Sequence, residues 1–381
     1  MAKRTYIGVS GKARKIKKMY VGVSGKARKI KKAYIGVAGK ARLFFSSGEL
    51  SYYGTATPLS SARSELAGAS AGGVYAVFAG GHLATGSTYG VATVDAYNAA
   101  LTRVDATDLS AASRQLQSAT TNNYAMFTGG TLDNNTDTAR GTLAAYNSSL
   151  TQTKGSLSER RTQIYSTGLG EYGIFAGGNT AGNYKSTVDV FDASLTRTNP
   201  GALLIEGGCA GAATTAGEYA IFAGGMNARG SNANVSACNT SFTRIKVEDL
   251  SGYKSYFYGA SNGNYALFAG GMNGSKTTVD TYDSSLTKVS VDPLSVGRYG
   301  YAAVSIGNQV VFAGGLKVKT NGTADGVSAS IDTYDESLTR NSTLELSEAR
   351  TSLAGAVVGE NALFAGGSNS GSCSTVDVFK I

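Results

Sequence analysis

Seven copies of Phe-Ala-Gly-Gly, or a close variant, run through this chain, with phenylalanines at Phe78, Phe127, Phe175, Phe222, Phe268, Phe312 and Phe364. The intervals are 49, 48, 47, 46, 44 and 52 residues. A unit of that length cannot bury its own apolar face, so it must pack against copies of itself. Strand-rich units repeating every 40–50 residues are the signature of a β-propeller.

The rest of each unit agrees. Short apolar runs such as Tyr75-Ala76-Val77-Phe78 and Tyr219-Ala220-Ile221-Phe222 precede the Gly-Gly pair and read as buried strands. The glycines give backbone freedom where the strand leaves the sheet. A loop of variable length and a second apolar run follow, for example Val94-Asp95-Ala96-Tyr97 or Val279-Asp280-Thr281-Tyr282. Next comes a turn led by Asn98, Asn147, Asp192, Asn239, Asp283 or Asp335, with Leu or Phe three residues on and Thr after it. Asn and Asp favour turns by bonding their own backbone, so this is a hairpin. A last strand then runs to a Leu-Ser pair, with a cation four residues after the Leu: Leu59 and Arg63, Leu157 and Arg161, Leu250 and Lys254, Leu294 and Arg298, Leu346 and Arg350. Four strands per unit make one blade.

These features resemble Kelch repeats over about residues 46–381. The resemblance implies an all-β, seven-bladed β-propeller. It departs from the family in having no tryptophan; Leu286 and its equivalents take that place. The fourth unit is degenerate, with Cys238 at the aromatic position and Gly207 where the Arg should stand. The seventh unit stops at Ile381 without a last strand, and residues 49–58 match the missing strand. They are expected to pair with the C-terminal blade, 352–381, and so close the ring.

The charge of +9 is unevenly placed. Residues 1–43 hold 14 of the 35 basic residues and no acid, which leaves 21 basic against 26 acidic residues in the remainder. The leader is itself a repeat of period 14, starting at Tyr6, Tyr20 and Tyr34, with Ser-Gly-Lys or Ala-Gly-Lys turns. Between turns, strand-like segments of about ten residues such as Ala13 to Val23 are expected to form a small β-hairpin or meander repeat segment. Neither side of it is apolar enough for a private core, so residues 1–45 must self-associate into a homo-oligomer or lie on an acidic partner. A solvated basic arm and a nucleic-acid arm are the competing readings. The split of basic residues between both strand faces argues against nucleic acid. The unit also resembles N-terminal repeats in structural proteins of phages and prophages of Gram-positive bacteria. That implies an anchor whose attachment residues are Lys12, Arg14, Lys15, Lys17, Lys18, Lys26, Arg28, Lys29, Lys31, Lys32, Lys40 and Arg42.

Convergent ionisable groups are scarce. His82 is the one histidine, and it reads as a surface residue at a loop start. Cys209, Cys238 and Cys373 lie in different repeats, which suits neither zinc nor a disulfide framework. Asp133-Asn134-Asn135-Thr136-Asp137 lacks the Gly and distal Glu of a calcium loop. The expectation is therefore no enzyme, no cofactor and no metal. No stretch approaches the roughly 18 apolar residues of a membrane span, and no secretory signal is apparent.

What remains is a binding surface. The loops after Gly-Gly are variable and rich in Asn, Ser, Thr, Gly and Tyr, which suits polar recognition. His82, Tyr89, Asp133, Asn135, Asn183, Tyr184, Asn227, Arg229 and Asn321 are its candidate ligand-facing residues. The expected role is a virion component, made in a bacterial cytoplasm. Its leader would contact other particle proteins, and its propeller would meet host-surface saccharide or protein, or decorate the particle. The alternatives are an intracellular Kelch scaffold and a saccharide-acting propeller enzyme.

Overall fold

The computed structural model describes residues 49–83, 89–133, 135–273, 276–319 and 322–381, and the backbone of six short strands between 6 and 46. The described residues form an all-β, propeller-like fold. Its one helical turn is Thr136–Thr138.

Seven four-stranded antiparallel sheets follow one another along the chain. In the first, Ala67–Ala71, Tyr75–Ala79, Val94–Asn98 and Arg103–Asp105 pair in sequence order. The second strand of each sheet carries the Phe and is buried along nearly its whole length, because both faces are covered. That is why its sequence reads as an apolar run rather than an alternation. In the seventh sheet, Val376–Lys380 pairs with Ser51–Thr55 from the other end of the domain, placing Phe379 opposite Tyr52 and Asp377 opposite Thr55.

The first strands of successive sheets lie against one another, and those of the seventh and first sheets also meet. The last strands are largely exposed. First strands approach so closely that a Cβ at Gly168 would stand 1.8 Å from the Thr120 carbonyl oxygen. Ser118 Oγ donates to Gly68 O (2.8 Å), and Ser166 Oγ to Ser118 O (2.9 Å). Each apolar core sits between two sheets rather than within one. Phe127 and Tyr146 pack with Ala69, Val77 and Ala96 of the sheet before. Phe78 and Tyr97 pack with Ala354, Leu363 and Val378 of the last sheet. Edge-on ring pairs such as Phe78–Tyr97 and Phe312–Tyr334 (centroids 6.0 and 6.1 Å apart) recur in this layer.

The Asn/Asp turns are hairpins as expected. Asp283 Oδ1 accepts from the Ser285 and Thr287 amides (2.8 and 2.9 Å), and Asn98 binds Ala100 and Thr102 likewise. The Leu of each turn adopts φ near +60°, for example Leu286 at 63°. Leu286 rests against the inter-sheet core.

Of the two forms expected of the leader, hairpin and meander, its strands adopt the first. Its strands form three separate hairpins: Tyr6–Val9 with Lys12–Lys15, Met19–Val23 with Lys26–Ile30, and Lys32–Val37 with Lys40–Ser46. The stretch Ala13 to Val23 is thus not one strand, since Lys12–Lys15 and Met19–Val23 belong to different sheets. Two-residue Ser-Gly or Ala-Gly connections favour local pairing over a continuous sheet. Lys17, Lys18 and Lys31 lie outside the described residues.

Candidate binding face

The recurring Asp and Arg form the frame beneath the loops. Arg63–Asp95 (2.8 Å), Arg161–Asp189, Lys254–Asp280 (2.7 Å), Arg298–Asp332 (2.8 Å) and Arg350–Asp377 (2.7 Å) are ion pairs buried from solvent. Each Asp also receives the amide of the Ser after the blade-linking Leu, as Asp332 does from Ser295 (3.1 Å). Buried charges need this degree of satisfaction. A second cation reaches four of them from the last strand: Arg103, Arg197, Lys288 and Arg340. At Asp377 the equivalent position is Tyr52, whose hydroxyl donates at 3.2 Å. Burial pushes the Asp280 carboxyl up, but the Lys254 ammonium and the Ser251 donors outweigh it and hold the group below its ordinary value.

The second Gly of the Gly-Gly pair donates its amide to the backbone carbonyl at the next sheet's cation position: Gly178 to Gly208 (2.7 Å), Gly225 to Lys254 (2.7 Å), Gly315 to Arg350 (2.8 Å) and, from last sheet to first, Gly367 to Arg63 (3.0 Å). The missing Arg of the fourth unit is therefore Gly208, not Gly207; the unit's two consecutive leucines, Leu203 and Leu204, shift the count by one. The unit has exchanged parts rather than lost them. Tyr165, from the sheet before, donates its hydroxyl to Gly224 O (2.7 Å), the bond that Arg161 makes to Gly177 O (2.9 Å). Gly211 leaves room for that ring, since a Cβ there would stand 1.9 Å from it. Ser236 replaces the Asp, and a cavity of about 20 Å³ remains beside it. In the second unit Ser113 and Ala144 replace the pair, and a cavity of about 10 Å³ lies between them.

Two residues beyond each cation position the chain enters the left-handed region, at Glu65, Gln115, Gln163, Ala210, Tyr256, Gly300 and Ser352. These residues form a collar of backbone bonds from sheet to sheet: Gln115 N to Glu65 O (3.0 Å), Ala210 N to Gln163 O (2.9 Å), Tyr256 N to Ala210 O (2.8 Å), Ser352 N to Gly300 O (2.7 Å) and Glu65 N to Ser352 O (2.9 Å). For a residue as bulky as Tyr256, φ of +52° is a strained conformation. Side chains around the collar are polar. Arg114 Nε meets Glu65 Oε2 at 2.5 Å, and Gln163 donates to Tyr256 Oη (3.1 Å) and accepts from the Cys209 thiol (3.2 Å). Burial, then Cys209, raises the Tyr256 phenol above its ordinary value.

The loops after Gly-Gly surround this collar. Ser372 Oγ of the last reaches His82 O of the first (3.3 Å), Gly90 N reaches Leu132 O of the second (2.5 Å), and Asn273 of the fifth donates to Ser231 of the fourth (2.7 Å). The expected ligand-facing residues are spread along this rim. His82 bridges Ser64 and Gly90 through its backbone, and Tyr89 is exposed. Asp133 accepts from Asn135 N (2.9 Å) and Thr138 Oγ1 (2.7 Å), and these bonds, the threonine's foremost, lower its pKa. Asn135 caps the helical turn. Asn183 and Tyr184 lie on a small hairpin with Asn179–Thr180. Asn227 is buried, accepting from Arg229 N (2.8 Å), while Arg229 extends toward Glu206 (4.0 Å). Asn321 lies outside the described residues. Their side-chain bonds stay mostly within their own loops.

Sequence reasoning missed the collar and the tyrosines beside it. Their only signal is spacing, two residues after the cation, and their chemistry differs from unit to unit. Among the described residues no three His, Cys, Asp or Glu side chains gather as a metal set, and no helix is long and apolar enough to cross a membrane. The three cysteines are unbonded and buried, and burial pushes Cys209 and Cys238 up to about 12.

No family model matches the chain, and no curated protein does. A solved structure titled "Structure of YjhT" is similar in fold: TM-score 0.51 at 13% identity, covering 85% of this chain and 96% of that one.

Proposed function

We propose that the seven sheets are the blades of a closed, Kelch-like propeller, latched by Ser51–Thr55, and that the basic hairpins of residues 1–45 carry it as an anchor. In this reading the protein is a non-enzymatic component of a phage or phage-like particle, made in the bacterial cytoplasm. The leader attaches to other particle proteins, and the loop-bearing face meets host-surface saccharide. The observation that carries the reading is the division of the chain. All the excess positive charge sits in residues 1–43, whose described strands pair as three short hairpins. The sheets that follow in sequence share a buried frame, with an ion pair in five of the seven, under loops that differ in every unit.

The test is deletion of residues 1–48 in the producing strain. The truncated chain is expected to fold, with an unchanged far-ultraviolet strand spectrum, and to be missing from sedimented particles. Normal incorporation without the leader would overturn the anchor.

A further inference from the structure

The fourth sheet has lost its buried cation but kept the oxygens that face one elsewhere. In three other sheets the carbonyl of the Phe before Gly-Gly takes a guanidinium N–H: Phe78 O from Arg63 (3.2 Å), Phe312 O from Arg298 (3.1 Å) and Phe364 O from Arg350 (3.0 Å). A second carbonyl, two residues before the frame Asp, takes Arg161 at Thr187 and Lys254 Nζ at Thr278 (2.9 Å). The matching oxygens of the fourth sheet are Phe222 O and Asn234 O, and Gly208 stands where the cation should be. Among the described residues no side chain donates to either oxygen. Both residues line the cavity of about 20 Å³ beside Ser236, together with Tyr165 and Glu206. Ser236 is 2% exposed. Its hydroxyl has no partner among the described residues, an uncommon state for a buried polar group. The Asn234 amide holds the Glu206 carboxylate (2.8 Å). The cations around the cavity do not line it. Arg229 is 89% exposed and 4.0 Å from Glu206, Arg244 donates to Leu204 O (2.8 Å), and Lys185 and Lys254 are paired with Glu159 and Asp280.

We infer that this cavity is a site for a small monovalent cation, potassium or ammonium. A cavity of this volume holds about one water-sized particle, and both ions are of that size. The donors are all oxygens, which suit hard cations, and carbonyls can replace the hydration shell of such an ion. One carboxylate balances a single charge, whereas calcium draws on more carboxylates and magnesium keeps several waters. The fifth sheet shows the same frame holding a primary ammonium, that of Lys254, between Thr278 O (2.9 Å) and Asp280 (2.7 Å). The second sheet also lacks the ion pair but is filled differently. Its Ser113 Oγ donates to Gly129 O (2.9 Å), and no acid lines its cavity of about 10 Å³. In the fourth sheet the ion ties Glu206, on the link into the sheet, to the second and third strands.

The test is the melting temperature of the full chain as potassium or ammonium chloride replaces choline chloride at constant ionic strength. Choline is too large for the cavity, so screening stays fixed while site occupancy changes. A ligand that binds only the folded chain raises the melting point in a saturable way. Wild type is expected to gain about 2 °C or more, with a defined half-saturating concentration. Glu206→Gln and Ser236→Ala should each raise that concentration tenfold or more. Glu159→Gln, at the matching position of the third unit where Arg161 fills the frame, should leave it within twofold. Equal melting temperatures in potassium, ammonium and choline would mean that the cavity takes water alone, and would overturn the inference. A response that survives Glu206→Gln belongs to other groups and overturns the site, whatever Ser236→Ala does to folding.

Discussion

Asp189 shows what a single residue carries. Its carboxylate neutralises Arg161, which also donates to Gly177 O (2.9 Å) and to Thr187 O, all without exposure to water. Replacing it by Ala strands a buried guanidinium, so Asp189→Ala should cost about 3–5 kcal/mol in urea denaturation. At Asp280 the sign of the pH dependence follows from its lowered pKa. The stability it adds is fully present above the ordinary value of 3.8 and is lost as pH falls through the depressed folded value. The urea midpoint of wild type should therefore drop between pH 4 and pH 2.5 by more than that of Asp280→Asn. Gly211→Ala puts a methyl against the Tyr165 ring and should destabilise by about 2 kcal/mol or more. The recurring Asp was legible as a blade element, but not as half of an ion pair. Its partner lies 26 to 34 residues away in the five units that have the pair, a distance that only the sheet closes, as for Asp332 and Arg298 (2.8 Å).

At the scale of the element, the strands were legible because both faces of each second strand are buried, so Phe, Ala, Val and Ile crowd into four or five positions. The hairpins were legible because Asp283 and its equivalents bind their own turn. The paired substitutions in the second unit were not, because Ser113 and Ala144 are unremarkable until they are seen to face the same cavity. They predict a cycle. Ala144→Asp alone should be destabilising, and adding Ser113→Arg should recover stability with a coupling of about 1–3 kcal/mol. The leader was legible only as hairpin or meander, because a 14-residue period suits both equally. Only the pairing of Val9 with Lys12, Val23 with Lys26 and Val37 with Lys40 separates the two. The latch can be tested by permutation. Moving residues 49–59 behind Ile381 leaves the pairing of Ser51–Thr55 with Val376–Lys380 intact, so the permutant should melt within a few degrees of wild type. A much lower melting temperature would show that the strand depends on the chain preceding it.

For the whole molecule, the division between a basic leader and a mildly acidic body was legible from charge alone. The collar was not, since Glu65, Gln163, Tyr256 and Ser352 share a backbone conformation rather than a chemistry. In the proposed reading the leader attaches and the other end presents a face, and short two-stranded hairpins such as the leader's are marginal on their own. The most direct measurement is to sediment particles from the producing culture through a density gradient and quantify this chain by mass spectrometry across the fractions. The account predicts that the full chain peaks with the particles and that a chain lacking residues 1–48 stays in the soluble fractions. A full chain found wholly in the soluble fractions would contradict it.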